Sequence, residues 1–403
     1  MGFVLTELVN GVSCTLPDSC SSSDSVRENC LLVDWFTLSV RFDFQQAAEN
    51  LRVRYAHNLS DDYIKNPDDA LIEEVSLSFA KDFIEDILML EDPFITWLDM
   101  SGFYGFHKRL YFNGISVHYA GNLSKGLYDR IFIEMSGSGC RSYDEWGLNS
   151  WACLFSLATT QPAIYHCSRL DVAYDDYDGL LDIDQLESEV LLENITTRFH
   201  KIRVDKDIYG GVDKCIYYGS MNSDIMFRCY NKAAERGRTE DIPHWIRFEI
   251  QLRDDRAYAF IASYLDTGDF GGTYSGIIDK QLRYVIPTGS DTNKARWDSP
   301  AWWTNFIGKT AEIRDFTKKN TEYNLMKLEN YVTSTSCAAI NTYIECVGFK
   351  KFVSEVKKNM KKKNKLPIKY EKIKQSVKLA DDLWSSAKDL SEAFQLLEGA
   401  GLI

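Results

Sequence analysis

Between Ser223 and Gly237 the chain reads SDIMFRCYNKAAERG, a strand-like run that passes at once into a charged segment. Asp224, Met226, Arg228 and Tyr230 alternate onto one face of that strand, and Lys232 follows directly. A tyrosine that closes a strand is ordinarily core. Between an arginine and a lysine its oxygen has a second use, as a nucleophile toward a phosphodiester, with the cations stabilising the charge that develops.

Three further strand-like runs put acids on one face. In SRLDVAYDD, Leu170, Val172 and Tyr174 face a core, while Arg169, Asp171 and Asp175 lie opposite. In IRFEIQLR, Arg247, Glu249, Gln251 and Arg253 oppose the apolar set, and in DRIFIEM Glu134 does the same. Each run alone reads equally as the wet face of an amphipathic antiparallel sheet. Together, Glu134, Asp171, Asp175 and Glu249 would repel one another unless a cation sat among them. All-oxygen donors suit Mg²⁺ or Mn²⁺, and those ions suit phosphate chemistry. On this reading Tyr230 attacks, and Arg228, Lys232 or Arg247 stabilises the charge.

The elements that must position these residues are legible in outline. LLVDWFTLSVRFD (31–43) reads as a strand. NPDDALIEEVSLSFAKDFIEDILML reads as a helix capped by Asn66, with Pro67 in its first turn. GFHKRLYFNGISVHYAG reads as a hairpin turning at Asn113-Gly114. IFIEMSGSGCR reads as a strand ending in a glycine-serine turn, YDEWGLNSWACLFSLATT as a helix, and 272–303 as a Gly/Trp/Pro-rich interruption between helices. The order lacks βαβ regularity. It predicts an α+β fold, a curved and largely antiparallel sheet with helices on one face, followed by a helical C-terminal region. Residues 1–30 read as a flexible segment, 31–310 as the sheet-bearing domain and 311–403 as the helical region. Two strand-strand-helix groups, about 103–158 and 163–260, are compatible with a distant duplication.

With 45% hydrophobic and 26% charged residues, the 403-residue chain has the profile of a soluble globular protein. Its ten cysteines show no C-x-x-C pair and predict reduced thiols. No apolar run is long enough to span a membrane, and the start lacks a basic leader, so a cytoplasmic protein is expected. A net charge of −13 excludes a uniformly basic nucleic-acid coat. The segment from Lys350 to Lys374 nevertheless carries eleven lysines against two glutamates. Lys357, Lys358, Lys361, Lys362 and Lys363 are therefore candidates for phosphate contacts, or simply a solvated helix face. Trp297, Trp302 and Trp303 either stack an unpaired base or pack between helices. GSGCR lacks the Lys-Ser/Thr of a phosphate-binding P-loop.

In order and spacing these motifs resemble the replication initiation factor family, often called Rep_trans, which includes rolling-circle initiators of plasmids and phages and relaxases of conjugative elements. SRLDVAYDDYDG, IYYGSMNSDIMFRCYNKAAERG and WIRFEIQLRDDRA carry the resemblance, with IFIEMSGSGCR, VDWFTLS and RWDSPAWW beside them, over about residues 100–310. The resemblance implies that Tyr230 nicks one strand at an origin, leaving a 5′-phosphotyrosyl link and a free 3′-OH. It implies that Asp171 and Glu249, with Glu134 and Asp175, hold a divalent metal, and that Arg169, Arg247, Arg253 and Ser220 contact DNA. The implied partners are single-stranded or hairpin origin DNA, a host helicase and polymerase, and a second copy of the chain. Met221 departs from the basic residue expected after Gly-Ser, and the N-terminus shows no helix-turn-helix. A binding-only protein that has lost cleavage is the alternative from another class.

Overall fold

The computed structural model describes residues 29–55, 59–90, 95–206, 214–240, 242–288, 291–313 and 337–362. Its strands are β1 (Cys30–Arg41), β2 (Leu98–Ser101), β3 (Phe106–Phe112), β4 (Ile115–Gly121), β5 (Arg130–Met135), β6 (Tyr165–Asp176), β7 (Ile195–Thr197), β8 (Ile202–Lys206), β9 (Lys214–Tyr218), β10 (Ile225–Asn231), β11 (Ile246–Arg253) and β12 (Leu282–Tyr284). Ten form one sheet, in the order β2-β3-β4-β5-β1-β6-β11-β10-β9-β8, and β7 pairs with β12 separately. Every pairing in the large sheet is antiparallel.

The order has an internal symmetry. The two long strands β1 and β6 pair at the centre, each is flanked by its own return strand (β5 and β11), and three more strands follow outward on either side. Five strands therefore stand in matching positions in each half, the arrangement a duplication would leave.

One face of the sheet is covered by helices. Phe36 on β1 packs on Trp151 and Phe155 of the helix Trp151–Thr160. Phe248 on β11 packs on Tyr218, Phe227, Trp303 and Phe306. Tyr274, in the helix Phe270–Gln281, donates its hydroxyl to the Phe248 carbonyl at 2.7 Å. Trp303 is buried and touches Tyr284, Trp302 and Phe306, so the tryptophan cluster packs between elements and does not present Trp303 for stacking.

Several boundaries differ from the sequence expectation, each for a local reason. The helix expected to begin at Asn66 runs Asp69–Phe83, because Asp68 is the cap and its carboxylate takes the Leu71 amide at 2.9 Å. The glycine-serine turn after β5 is already helical from Gly137 to Trp146, capped by Ser136, and Gly147 separates it from the next helix. The first part of the supposed interruption lies in a helix, Phe270–Gln281, and the irregular stretch follows only after β12. Gly271 is needed there because a Cβ would lie 2.2 Å from the Thr310 carbonyl oxygen of the crossing helix Ala301–Glu312. The Asn113-Gly114 turn is as expected, both residues having positive φ (44° and 87°).

The backbone divides into two units. The described residues of the first run from 29 to 313, and those of the second form two helices, Cys337–Val347 and Phe349–Lys362. Lys357 and Lys358 are exposed on the latter, Lys361 and Lys362 lie in its last turn, and Lys363 and residues 1–28 lie outside the described residues. Among the described residues, no helix is long and apolar enough to cross a membrane. Cys140, Cys167 and Cys229 there are buried free thiols.

Phe248→Ala should cost about 3–5 kcal/mol, the effect of removing a buried phenyl that four rings enclose. Chemical denaturation measures it, and a loss under about 1 kcal/mol would mean that this face is not the core.

Candidate active site

The face away from the helices carries the candidate residues. Residues directly opposite in an antiparallel sheet share a face, so the register places the side chains in rows. One row runs Asp175, Arg247, Tyr230, Cys215 and the next Ala173, Glu249, Arg228, Tyr217. Trp35, Asp171 and Gln251 form a third, and Glu134, Thr37, Arg169 and Arg253 a fourth.

At the centre, Tyr230 is buried at 7% exposure, and its hydroxyl donates to Glu249 Oε2 at 3.3 Å. Lys232 Nζ reaches the same hydroxyl at 3.4 Å and Glu235 at 2.6 Å. The abrupt end of the strand has a local cause. Asn231 caps the short helix Lys232–Glu235, its side chain taking the Ala234 amide at 3.0 Å. That turn folds Lys232 back beneath the tyrosine ring, 5.3 Å from its centroid.

Glu249 is wholly buried, paired with Arg228 and in hydrogen-bonding contact with Asp171. Arg169 grips Asp171 with two bonds of 2.9 and 2.5 Å while stacking on Trp35 at 4.4 Å. Burial raises both carboxyls, and with the nearby Asp34 charge it pushes Glu249 up to about 8. Burial, then the Glu249 carboxylate, pushes the Tyr230 hydroxyl far above its ordinary value. Burial, then Arg247, lowers Lys232.

Arg247 is held on both sides. Its Nε and Nη2 donate to Asp175 at 2.6 and 2.7 Å, and its Nη1 meets Asp34 at 2.7 Å. Burial opposes the Asp34 charge, but Arg247 and Lys232 hold its carboxyl below its ordinary value. Asp34 was not among the residues singled out from sequence. It is the bulged residue of β1, skipped between the pairs of Val33 and Trp35, and the bulge turns it onto this face. Its only signal was a lone acid in the apolar run LLVDWF. Gly137 leaves it room, since a Cβ there would stand 3.0 Å from Asp34 Oδ1.

The structure thus brings together Tyr230, Arg228, Lys232, Glu249, Asp171 and Arg169. Asp175 and Arg247 saturate each other. Glu134 lies three strands across from Glu249 and four residues along, in the Arg253 row, ~19 Å away at ~4.8 Å per strand and ~3.3 Å per residue, and its carboxylate accepts the Tyr104 hydroxyl at 2.7 Å. Arg253 reaches the Met221 carbonyl at 3.4 Å, and Ser220 is exposed in the β9–β10 turn. Among the described residues, no three acids, cysteines or histidines form a ready metal cage. Two touching carboxyls, each bound to a guanidinium, still form a donor set that fits a hard divalent ion, which needs only one or two carboxylates beside a substrate phosphate.

Residues 166–358 match the family model described as replication initiation factor, and residues 74–157 match that of the rolling circle replication initiation protein N-terminal domain. The matches reach into both halves of the sheet, and together they support the replication initiation factor family. It is 27% identical over 294 residues to a putative DNA relaxase, NicK, of Bacillus subtilis strain 168, covering 68% of this chain and 80% of that protein. The solved rolling circle replication initiator protein of Geobacillus stearothermophilus shares the fold with a TM-score of 0.54 at 25% identity, covering 71% of this chain and 98% of the other.

Glu249 in the folded chain keeps its proton to about 8, against 4.5 for the free side chain. Its contribution to stability is therefore full below about 4.5 and lost as pH rises through about 8. Metal-free protein should melt at a falling temperature across pH 6–8, with Mg²⁺ restoring stability at the upper end. Glu249→Gln should flatten the slope and remove the Mg²⁺ effect. Parallel melting curves for the two proteins, with and without Mg²⁺, would contradict this.

Proposed function

We propose that the chain nicks one strand of DNA at an origin, with Tyr230 as nucleophile, and that its sheet domain spans about residues 31–310. The observation that carries the proposal is the Tyr230 hydroxyl, set between the Glu249 carboxyl at 3.3 Å and the Lys232 ammonium at 3.4 Å. The Tyr230 Oη–P bond forms as the P–O3′ bond breaks, leaving a 5′-phosphotyrosyl link and a free 3′-OH. Glu249 Oε2, once its carboxyl is ionised, is the acceptor placed for the phenolic proton. Lys232 and Arg247, below and beside the ring, stabilise the phenolate that would otherwise be costly in so buried a place.

Asp171 and Glu249 are the residues that would hold Mg²⁺ or Mn²⁺. When bound, such an ion polarises the phosphate and offsets the charge of the two carboxylates. Arg228 and Arg169, at 30% and 21% side-chain exposure, lie over those carboxyls at the rim. They are the groups an arriving phosphate meets first, and their forked geometry suits it.

Both the relaxase relative and the initiator structure support a strand-nicking role, and replication and transfer begin with the same cut. The proposed partners are origin DNA as single strand or hairpin, host helicase and polymerase, and a second copy of the chain, in the cytoplasm.

Labelled oligonucleotides tiled from the DNA flanking the gene, with Mg²⁺ or Mn²⁺, should be nicked and should retain protein at the 5′ side. EDTA or Tyr230→Phe should abolish the cut, and a cut that survives in Tyr230→Phe would sink the proposal. Tyr218 is not a replacement, being buried in the core and bonded to the Tyr284 hydroxyl.

Neutralising Lys357, Lys358, Lys361, Lys362 and Lys363 should weaken origin binding and flatten its salt dependence, by roughly one slope unit for each DNA phosphate that the variant leaves unneutralised. An unchanged slope would make that helix a solvated face.

A further inference from the structure

The active-site face continues, without a break in the sheet, into the N-terminal half. Arg109, His118 and Phe132 form one cross-strand row there, and Tyr111, Ser116 and Glu134 the next. The Glu134 row runs on through Thr37 to Arg169, so both halves present one surface.

Over this surface folds the β2–β3 turn, residues 102–105. Tyr104 lies back across the sheet with its ring 5.3 Å from Phe132 and 5.6 Å from His118. Its hydroxyl is anchored to Glu134 at 2.7 Å, yet 62% of the residue stays exposed, as does 54% of Phe103. The turn is costly to build. Tyr104 has φ of +59°, a left-handed conformation rare for a tyrosine. Gly102 admits no Cβ, which would stand 2.6 Å from the Phe106 carbonyl oxygen. The Phe103 amide donates to His118 Nδ1 at 3.2 Å, which in the neutral ring leaves the proton on Nε2, a buried atom without a partner. Two aromatic rings are thus left largely exposed over this face.

Arg109 lies 4.8 Å from the Phe103 ring. Among the described residues no carboxylate pairs with it; its polar contacts are Ser116 Oγ at 3.4 Å and Met100 Sδ at 3.9 Å. A further guanidinium-on-ring stack, Arg169 on Trp35, lies between this patch and Tyr230. Exposed rings interleaved with arginines suit the alternation of base and phosphate along a single strand.

We infer that Tyr104, with Phe103 and Arg109, forms a stacking subsite for an unpaired base of the DNA strand whose phosphate meets Tyr230, an inference that rests on the nicking role proposed above. Tyr104 is anchored at the Glu134 row, four strands across from Tyr230 (~19 Å at ~4.8 Å per strand) and six residues along β6, from Arg169 to Asp175 (~20 Å at ~3.3 Å per residue), or ~28 Å in all. That distance lies within the reach of the ~4–16-nucleotide sites of single-strand-binding folds.

The test uses the full chain and an oligothymidylate carrying 5-iodouracil. Irradiation should attach it to the tryptic peptide Asp82–Lys108, at Phe103 or Tyr104. Tyr104→Asn removes the ring but tolerates the left-handed backbone, and should weaken binding of fluorescein-labelled oligothymidylate roughly tenfold. Tyr104→Phe keeps the ring and should bind as the parent does. Nicking of the tiled oligonucleotides by the parent is measured in parallel. If the parent nicks while Tyr104→Asn binds within twofold and cross-links form elsewhere, the subsite is refuted and the nicking role stands. If the parent neither binds nor nicks any single strand, both fall. If Tyr104→Asn leaves DNA binding intact but converts a dimer to a monomer in sedimentation, the patch is a contact between copies, and the subsite is refuted.

Discussion

Two carboxyl groups with almost no access to water, Asp171 and Glu249, touch each other at the centre of the sheet. Nothing in a stable fold favours that contact by itself, since each charge loses its hydration and repels the other. Their surroundings are compensation. Arg169 and Arg228 each cover one carboxyl. Further along the same face Arg247 is clamped between Asp175 and Asp34, and Lys232 is turned inward beneath Tyr230. The alternation of acid and base is what lets so many charges sit where water is scarce, and it leaves the tyrosine oxygen between a proton acceptor and a cation.

The strand order explains how the cluster is held. β1 and β6 pair along their length at the middle of the sheet, and β11 and β10 follow in sequence on one side. Asp171, Glu249 and Tyr230 therefore sit on three adjacent strands, backed on the other face by Phe248, Trp303 and Phe306. The other half of the sheet repeats the arrangement with different side chains. Glu134 stands on the return strand of its half as Glu249 does on its own, but binds a tyrosine from a turn instead of lying against a second carboxyl. One half reads as the place of chemistry and the other as the place of grip.

Much of this was legible in the sequence because strand alternation is a local property. SRLDVAYDD and IRFEIQLR announce which residues share a face, and the spacing of Arg228, Tyr230 and Lys232 announces a tyrosine among cations. What alternation cannot convey is which strands are neighbours. Glu134, equivalent in pattern to Glu249, lies three strands away from it. Asp34 escaped notice because a bulge shifts its phase, and Asp68 took the cap from Asn66 through a hydrogen bond spanning only three residues. The helix at 270–281 was hidden by its glycines, of which Gly271 serves a close helix crossing and not a turn.

The most direct test of the account is to find where the DNA is attached. The covalent product, digested with trypsin and examined by mass spectrometry, should carry a 5′-phosphonucleotide on the peptide Cys229–Lys232, whose single tyrosine is Tyr230. An adduct on the peptide Cys215–Arg228, which holds Tyr217 and Tyr218, would contradict the central claim.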